Sequence, residues 1–288
     1  MLQGIRLFFC QNGYVEVETP LRIPALAPEV HIDAIDSEKW FLQTSPELCM
    51  KRLMAAGYDR IYQICRCFRK KERGRRHLPE MTLLEWYRAG WNYMDMMDEC
   101  EALIRFVARF LEMGDTITYQ GCDIKIGEPW RRLSVEEVFN AYASVSMVQA
   151  LEDDVFDEVM GTEIEPRLGI DQPVFVYDYP AVKSALARLK QTDRNLAERF
   201  ELYMGGIELC NAFSELIDPV EQRRRFEAEN DLRRSAGRKP YPLSENFLAS
   251  LQDIPQAAGN ALGVDRLAML FCDTALIDEV VAFIPEEL

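Results

Sequence analysis

Residues 60–88 read RIYQICRCFRKKERGRRHLPEMTLLEWYR, and the fold turns on how this stretch doubles back on itself. The run 60–69 is strand-like, 70–76 is a charged turn, and 81–88 is strand-like again. Two such runs around a short polar segment predict a β-hairpin with a basic loop. An arginine cluster on a turn can be merely solvated. Here Arg66, Arg69, Arg73, Arg75 and Arg76 belong to a chain of formal charge −15, so they form its obvious polyanion site. Guanidinium groups suit bidentate contact with phosphate, and a nucleoside triphosphate fits.

Working outward toward the N-terminus, 1–12 reads as an amphipathic helix broken by Gly13, and Val15 and Val17 alternate with Glu16 and Glu18 up to Pro20. That pattern predicts a helix and then a strand. A short strand follows at 39–43, then a helix at 46–56 with Pro46 in its first turn and Gly57 past its end. On the other side, 93–113 is the longest helical pattern, stopped by Gly114, while 128–169 is acidic and weakly patterned. We expect one α+β domain over residues 1–288 with a small helical insertion around 128–170.

Further along, Gly205-Gly206 is a two-residue hairpin signal. If it forms the turn, Tyr203 pairs with Glu208, and Glu201 shares their face of the sheet. Two carboxylates there could hold magnesium or grip an ammonium group; a solvated strand face is the competing account. Alternation turns Asn211, Phe213 and Glu215 the other way unless a bulge intervenes. The last piece, Gly259 to Arg266, is a glycine-bearing strand running into an apolar helix, with Arg266 in the first turn. That geometry suits an anion, or is an ordinary strand-to-helix turn.

Composition narrows the classes. Hydrophobic residues make up 48% of 288, ample for a buried core. No apolar run approaches the roughly 20 residues of a membrane span. The eight cysteines form no C-x-x-C pair, which favours reduced thiols and a cytoplasmic setting; with two histidines, His31 and His77, a structural zinc site has almost no ligands to draw on. The acidic balance opposes non-specific nucleic-acid binding and favours a basic protein surface or a cationic substrate.

In this order the pieces resemble the signature motifs of the class II aminoacyl-tRNA synthetases, in the wording of their lysyl branch. Val15 to Pro20 resembles the first motif, Phe68 to Tyr87 the second and Gly259 to Arg266 the third. Thr44 to Glu47 and Gly206 to Leu216 resemble the amino-acid and metal-binding segments. The first-motif strand begins near residue 14, so no N-terminal anticodon-reading OB-fold is expected. The closer resemblance is to the short lysyl-tRNA synthetase paralogues that lysylate elongation factor P, carried by Cys65-Arg66, Phe68-Arg69, Leu84 to Arg88, and Ala261 in place of a synthetase glycine. One methyl can move substrate preference by about 1–3 kcal/mol in a close-fitting pocket. The chain departs from the family at Lys70 and Lys71, which replace Asn and Glu beside Glu72, and at Leu78 and Met81, which replace Asn and Phe.

The resemblance implies a class II catalytic core with a mixed, mostly antiparallel sheet flanked by helices. It implies ATP and Mg²⁺ as cofactors, a lysine-type amino acid as substrate, elongation factor P as acceptor and a homodimer joined at the first motif; tRNA is not the expected partner. Arg69 and Arg266 would be catalytic. Arg69, Lys70, Lys71, Arg76, His77, Leu78, Met81, Glu208, Leu209, Gly263 and Arg266 would bind ATP, and Glu201 and Glu208 would hold the metal. Ser45, Pro46, Glu47, Tyr87, Asn211, Phe213, Glu215 and Ala261 would form the amino-acid site. The alternatives are a catalytically silent paralogue that binds an amino acid or a partner as a regulatory subunit, and an enzyme that aminoacylates RNA.

Overall fold

The computed structural model describes residues 1–127 and 129–288. A short strand, β1 (Val15–Glu16), runs parallel to β2 (Arg60–Phe68), which turns back into β3 (Glu80–Ala89). The β2–β3 ladder runs from Arg60↔Arg88 to Phe68↔Glu80, so the expected hairpin forms and carries 69–79 as its loop. Five more strands follow: β4 (Arg131–Ser134), β5 (Val174–Pro180), β6 (Leu196–Met204), β7 (Ile207–Ser214) and β8 (Ala257–Gly263). Among the described residues they complete an eight-stranded sheet of order β1-β2-β3-β8-β7-β6-β5-β4. The β1/β2 and β4/β5 pairs are parallel and the other five antiparallel, which is the mixed, mostly antiparallel sheet expected.

One face of this sheet is sealed by helices α1 (Leu2–Gln11) and, beyond α2 (Glu47–Ala55), α3 (Tyr93–Phe110). α3 starts at a capping box: Asn92 accepts from the Met94 amide at 2.8 Å and Asp95 accepts from the Asn92 amide at 2.9 Å. Its buried stripe, Met96, Cys100, Leu103, Ile104 and Val107, packs with Phe9, Trp86, Phe200, Leu202, Ala212 and Leu262 in the main core. Because side chains alternate along a strand, burying Trp86, Phe200, Ala212 and Leu262 on this face turns Glu85, Tyr87, Glu201, Phe213, Gly259 and Ala261 to the other. There α2 and α4 (Pro219–Ser235) contribute Leu48, Met54 and Phe226 to a second core, which leaves a cavity at the centre of the sheet. α5 (Val264–Phe271) closes the chain's last strand.

The hairpin of Thr116–Tyr119 with Cys122–Lys125 is not anticipated by the sequence reading. Its turn, Gln120-Gly121, has both residues at positive φ, and glutamine is an uncommon choice for that position. Residues 135–167 form short helices around Val138, Phe139, Phe156 and Ile164, packed on Val174 and Val176. Glu128, where the expected insertion opens, lies outside the described residues.

Candidate active site

The site is assembled by a bulge. Gly205 and Gly206 form the β6–β7 turn at φ 61° and 69°, and Tyr203 pairs with Glu208. One residue on, Leu202 pairs with Cys210, so Leu209 is an extra residue in β7. Leu209 and Cys210 both enter the core, and the alternation resets beyond them. Glu201, Glu208, Asn211 and Phe213 therefore line one cavity of about 790 Å³, in the size range of small-molecule sites.

At one end of this cavity stand Arg69, Glu72, Arg76, His77, Leu78, Met81, Leu209, Gly263 and Arg266. Arg69 follows β2 directly; its buried Nε has no hydrogen-bond partner among the described residues, and its Nη1 is 3.8 Å from Glu72. A buried donor without a partner is costly, and an anion on the cavity side would satisfy it. Arg266, in the first turn of α5, donates to the Glu208 carbonyl at 2.8 Å and lies against His77 Nε2. Burial pushes His77 down to about 4, and Arg266, Arg69 and Arg76 add to this, so its ring is neutral at pH 7 and accepts from Arg266. Asp265 accepts from the Thr82 amide at 2.7 Å, which ties α5 to β3.

Lys70 and Lys71 do not reach this cavity. Lys71 takes the left-handed turn of the loop at φ 66°. Both lysines line a separate cleft with Asp33, Asp36, Arg233, Arg238 and Lys239, and Lys70 Nζ is 3.9 Å from Asp36. From this loop the acidic residue Glu72, not the two lysines, stands on the cavity wall.

At the other end lie Ser45, Glu47, Tyr87, Asn211, Phe213 and Ala261. Pro46 is buried at the N-terminus of α2 and lines no part of the cavity. Glu85, which was not among the expected site residues, is the centre of this end. It is 1% exposed and accepts from Ser45 Oγ at 2.6 Å and Tyr87 OH at 2.9 Å. Burial pushes its carboxyl up to about 7, with the Glu47 charge adding to the effect. A carboxylate between Leu84 and Trp86 in a central strand was the legible signal. Glu215 sits just behind the wall, 2% exposed, its Oε2 2.5 Å from Lys51 Nζ, and burial pushes it up to about 8. Gly259 makes this packing possible: a Cβ there would fall 2.3 Å from Tyr87 Cε1 and 2.6 Å from Glu215 Oε1.

The third wall is carboxylate-rich. Glu201 accepts from Tyr179 at 2.6 Å, Tyr203 at 2.5 Å and Arg199 at 2.5 Å. Burial, then the Glu208 and Glu201 charges, push the neighbouring Glu165 up to about 7. Among the described residues no group of three or more His, Cys, Asp or Glu could hold a metal ion unaided. Magnesium ordinarily takes one or two carboxylates plus phosphate oxygens, and for such a mixed shell Glu208 and Glu201, beside a cavity that crowds negative charge, are a fitting donor set.

Comparison with known proteins agrees with this geometry. The family model for class II tRNA synthetases (D, K and N) matches residues 1–287. The elongation factor P–(R)-β-lysine ligase of Edwardsiella ictaluri is 39% identical over 98% of this chain and 92% of its own length. The ligase of the same name from Vibrio cholerae is 38% identical, again over 98% of this chain and 92% of its own. With its sheet order, its two arginines on one cavity and these relatives, the chain belongs to the class II tRNA synthetases and, among them, to the family of the elongation factor P–(R)-β-lysine ligases.

Proposed function

We propose that this protein activates (R)-β-lysine with ATP and transfers it to a lysine ε-amine of elongation factor P. The observation that carries this reading is that Arg69 and Arg266 line one cavity whose far end is walled by Glu47 and Glu85. In the first step a substrate carboxylate oxygen attacks the α-phosphorus of ATP and pyrophosphate leaves. In the second the acceptor amine attacks the acyl carbon, AMP leaves and the amine sheds its proton. The attacking carboxylate is already ionised, so the first step needs no general base; positioning and charge stabilisation supply the rate.

Arg69 is suited to the α-phosphate, where charge accumulates during attack. Arg266, His77 and Arg76 are suited to the outer phosphates, and Leu78, Met81, Leu209 and Gly263 to the nucleoside. Glu47, Glu85 and Tyr87 would hold the two ammonium groups, Ser45 and Asn211 would edge the pocket, and Phe213 and Ala261 would flank the aliphatic chain. Glu208 and Glu201 would hold Mg²⁺, which neutralises phosphate charge when bound. The helical cluster at 135–167 reads as an insertion in a single catalytic domain. A homodimer through β1 is supported by that short edge strand and by Val15, which is half-exposed. No described helix is long and apolar enough to cross a membrane, and the described cysteines are free, which supports a reduced, cytoplasmic setting.

Mass spectrometry of elongation factor P incubated with this protein, ATP and each lysine isomer tests the proposal. The expected result is an added β-lysyl mass with the (R)-β isomer. No adduct and no amino-acid-dependent pyrophosphate exchange with any isomer would overturn it.

A further inference from the structure

One buried charge beside the amino-acid pocket has no place in the scheme above. Lys51, on α2, is 1% exposed; its ammonium lies 2.5 Å from Glu47 Oε1, 2.5 Å from Glu215 Oε2 and 5.0 Å from the centre of the Phe213 ring. It lines no part of the cavity, so it acts on a ligand through the carboxyls around it, Glu47 and Glu215 in contact and Glu85 through its charge. Burial works to neutralise it, but Glu215 and Glu47 outweigh burial and hold its pKa above the ordinary lysine value. It is therefore a permanent cation.

We propose that Lys51 is a resident counter-ion, a positioning residue that sets the charge of the amino-acid pocket to match a diamine. Glu47 from α2, Glu85 from β3 and Glu215 after β7 meet here with the neutral phenol of Tyr87, and Glu29, which lines the same cavity, is a further carboxyl within reach of the Glu47 charge. Burial already pushes Glu85 up to about 7 and Glu215 up to about 8 with Lys51 in place, and a bound diamine would draw their protons off. Lys51 then offsets one of the charges so formed, while the substrate's own carboxylate would face Arg69. Without Lys51 the like charges would repel unopposed and both carboxyls would hold their protons more tightly still, so that diamine binding near neutral pH would have to displace them at greater cost. Lys51 also fixes Glu47 against Glu215, and so locks α2 to the sheet at the spacing the ligand meets. The inference rests on the reading of the substrate as a diamine; it deepens that reading by naming what sets the selectivity.

The test is calorimetric binding of L-lysine, (R)-β-lysine and 1,5-diaminopentane to the full chain across neutral and alkaline pH. Three proteins are compared: wild type, Lys51→Met, and the charge-restoring double variant Lys51→Met/Glu215→Gln, which removes the carboxylate behind the wall and leaves Glu47 in the pocket. ATP binding serves as the control for folding. Lys51→Met should weaken the diamines about tenfold or more near neutral pH, the effect of one pKa unit or more on the pocket carboxylates, and should recover as pH rises. ATP affinity should be unchanged, and the double variant should bind diamines more tightly than Lys51→Met. Wild-type binding and pH dependence in Lys51→Met, or a double variant no tighter than the single, would overturn the inference. Should Lys51→Met not fold, ¹⁵N NMR of wild type decides: the Lys51 ammonium must stay protonated to alkaline pH and shift when 1,5-diaminopentane binds, and a neutral or unresponsive signal overturns it. Diamine binding without pyrophosphate exchange would defeat the proposed function and leave this inference standing. Exchange with unchanged Lys51→Met binding would defeat this inference alone.

Discussion

Arg266 Nη1 donates to the backbone carbonyl of Glu208 at 2.8 Å and lies 3.2 Å from its carboxylate, so the third-motif arginine is held against the metal-segment glutamate before any ligand arrives. This contact joins α5 to β7 beside the bulge that orients Glu208. It keeps a guanidinium at the cavity wall at little cost in side-chain entropy when ATP binds.

Removing either arginine should therefore damage chemistry far more than folding. Arg69→Ala and Arg266→Ala are each expected to lower amino-acid-dependent pyrophosphate exchange by about 10²–10³-fold, the usual cost of one preorganised donor to developing charge. Arg69→Ala should not lower the melting temperature, because it deletes a buried Nε that has no partner among the described residues. Near-wild-type exchange in Arg69→Ala would remove it from the catalytic role.

His77 offers a spectroscopic check of the phosphate end. In the free protein burial and three arginines hold it down to about 4, so it is neutral at pH 7. A bound triphosphate supplies negative charge beside it and should raise its pKa. By linkage, ATP binding then takes up a proton and tightens as pH falls toward the ligand-bound pKa. With two histidines in the chain, the ring resonances are readily assigned. The His77 resonance should titrate at higher pH with ATP present, and an unmoved His77 would place the phosphates elsewhere.

Much of this was legible beforehand because it rests on periodicity and on glycine. The 60–88 hairpin, the 93–110 helix and the Tyr203–Glu208 pairing follow from alternation, a helical stripe and a Gly-Gly turn. What was not legible is whatever a single backbone irregularity decides. The bulge at Leu209 has no side-chain signature, yet it decides whether Asn211 and Phe213 face the site. The left-handed Lys71 likewise carries Lys70 and Lys71 to a second cleft and leaves Glu72 on the cavity wall, a change of direction that the residue types alone do not encode. Glu85 carries little signal by itself, because a lone carboxylate in a strand takes its meaning only from Glu47, Tyr87 and Ser45 around it.

Four carboxyls in and beside the pocket make the ligand-free protein sensitive to alkali. Burial pushes Glu29, Glu85 and Glu165 up to about 7 and Glu215 up to about 8. Their folded-state pKa values lie above the unfolded ones, so the stability they contribute is complete below the ordinary glutamate range and is lost as pH rises through 7 to 8. His77, with its lowered pKa, acts in the opposite sense, gaining stability up to its unfolded value near 6.5. Between pH ~6.5 and ~8.5 the carboxyls alone set the slope, worth up to ~1.4 kcal/mol per group per pH unit. Urea unfolding should show stability falling across that window, with Glu85→Gln or Glu215→Gln flattening the fall and saturating lysine restoring it. A flat profile in the free protein would mean that these carboxyls are already ionised.

Gly259 separates the two ends of the cavity most cleanly. It lies in β8 opposite Tyr87, and a methyl there meets the Tyr87 ring at 2.3 Å and Glu215 Oε1 at 2.6 Å, both held in a buried wall. Neither can swing away freely, since Tyr87 OH donates to Glu85 at 2.9 Å and Glu215 faces Lys51 at 2.5 Å. Gly259→Ala must therefore displace the ammonium-binding wall, at an overpacking cost of about 1–3 kcal/mol in stability. Arg69, Arg76 and His77 stand at the opposite end and are untouched. KM for the amino acid should rise at least about tenfold, as expected when a group is moved from productive geometry, while ATP affinity stays at the wild-type value. Equal losses for both substrates would mean that β8 itself is disrupted, and no loss for either would mean that Tyr87 and Glu215 do not form the floor of the amino-acid site.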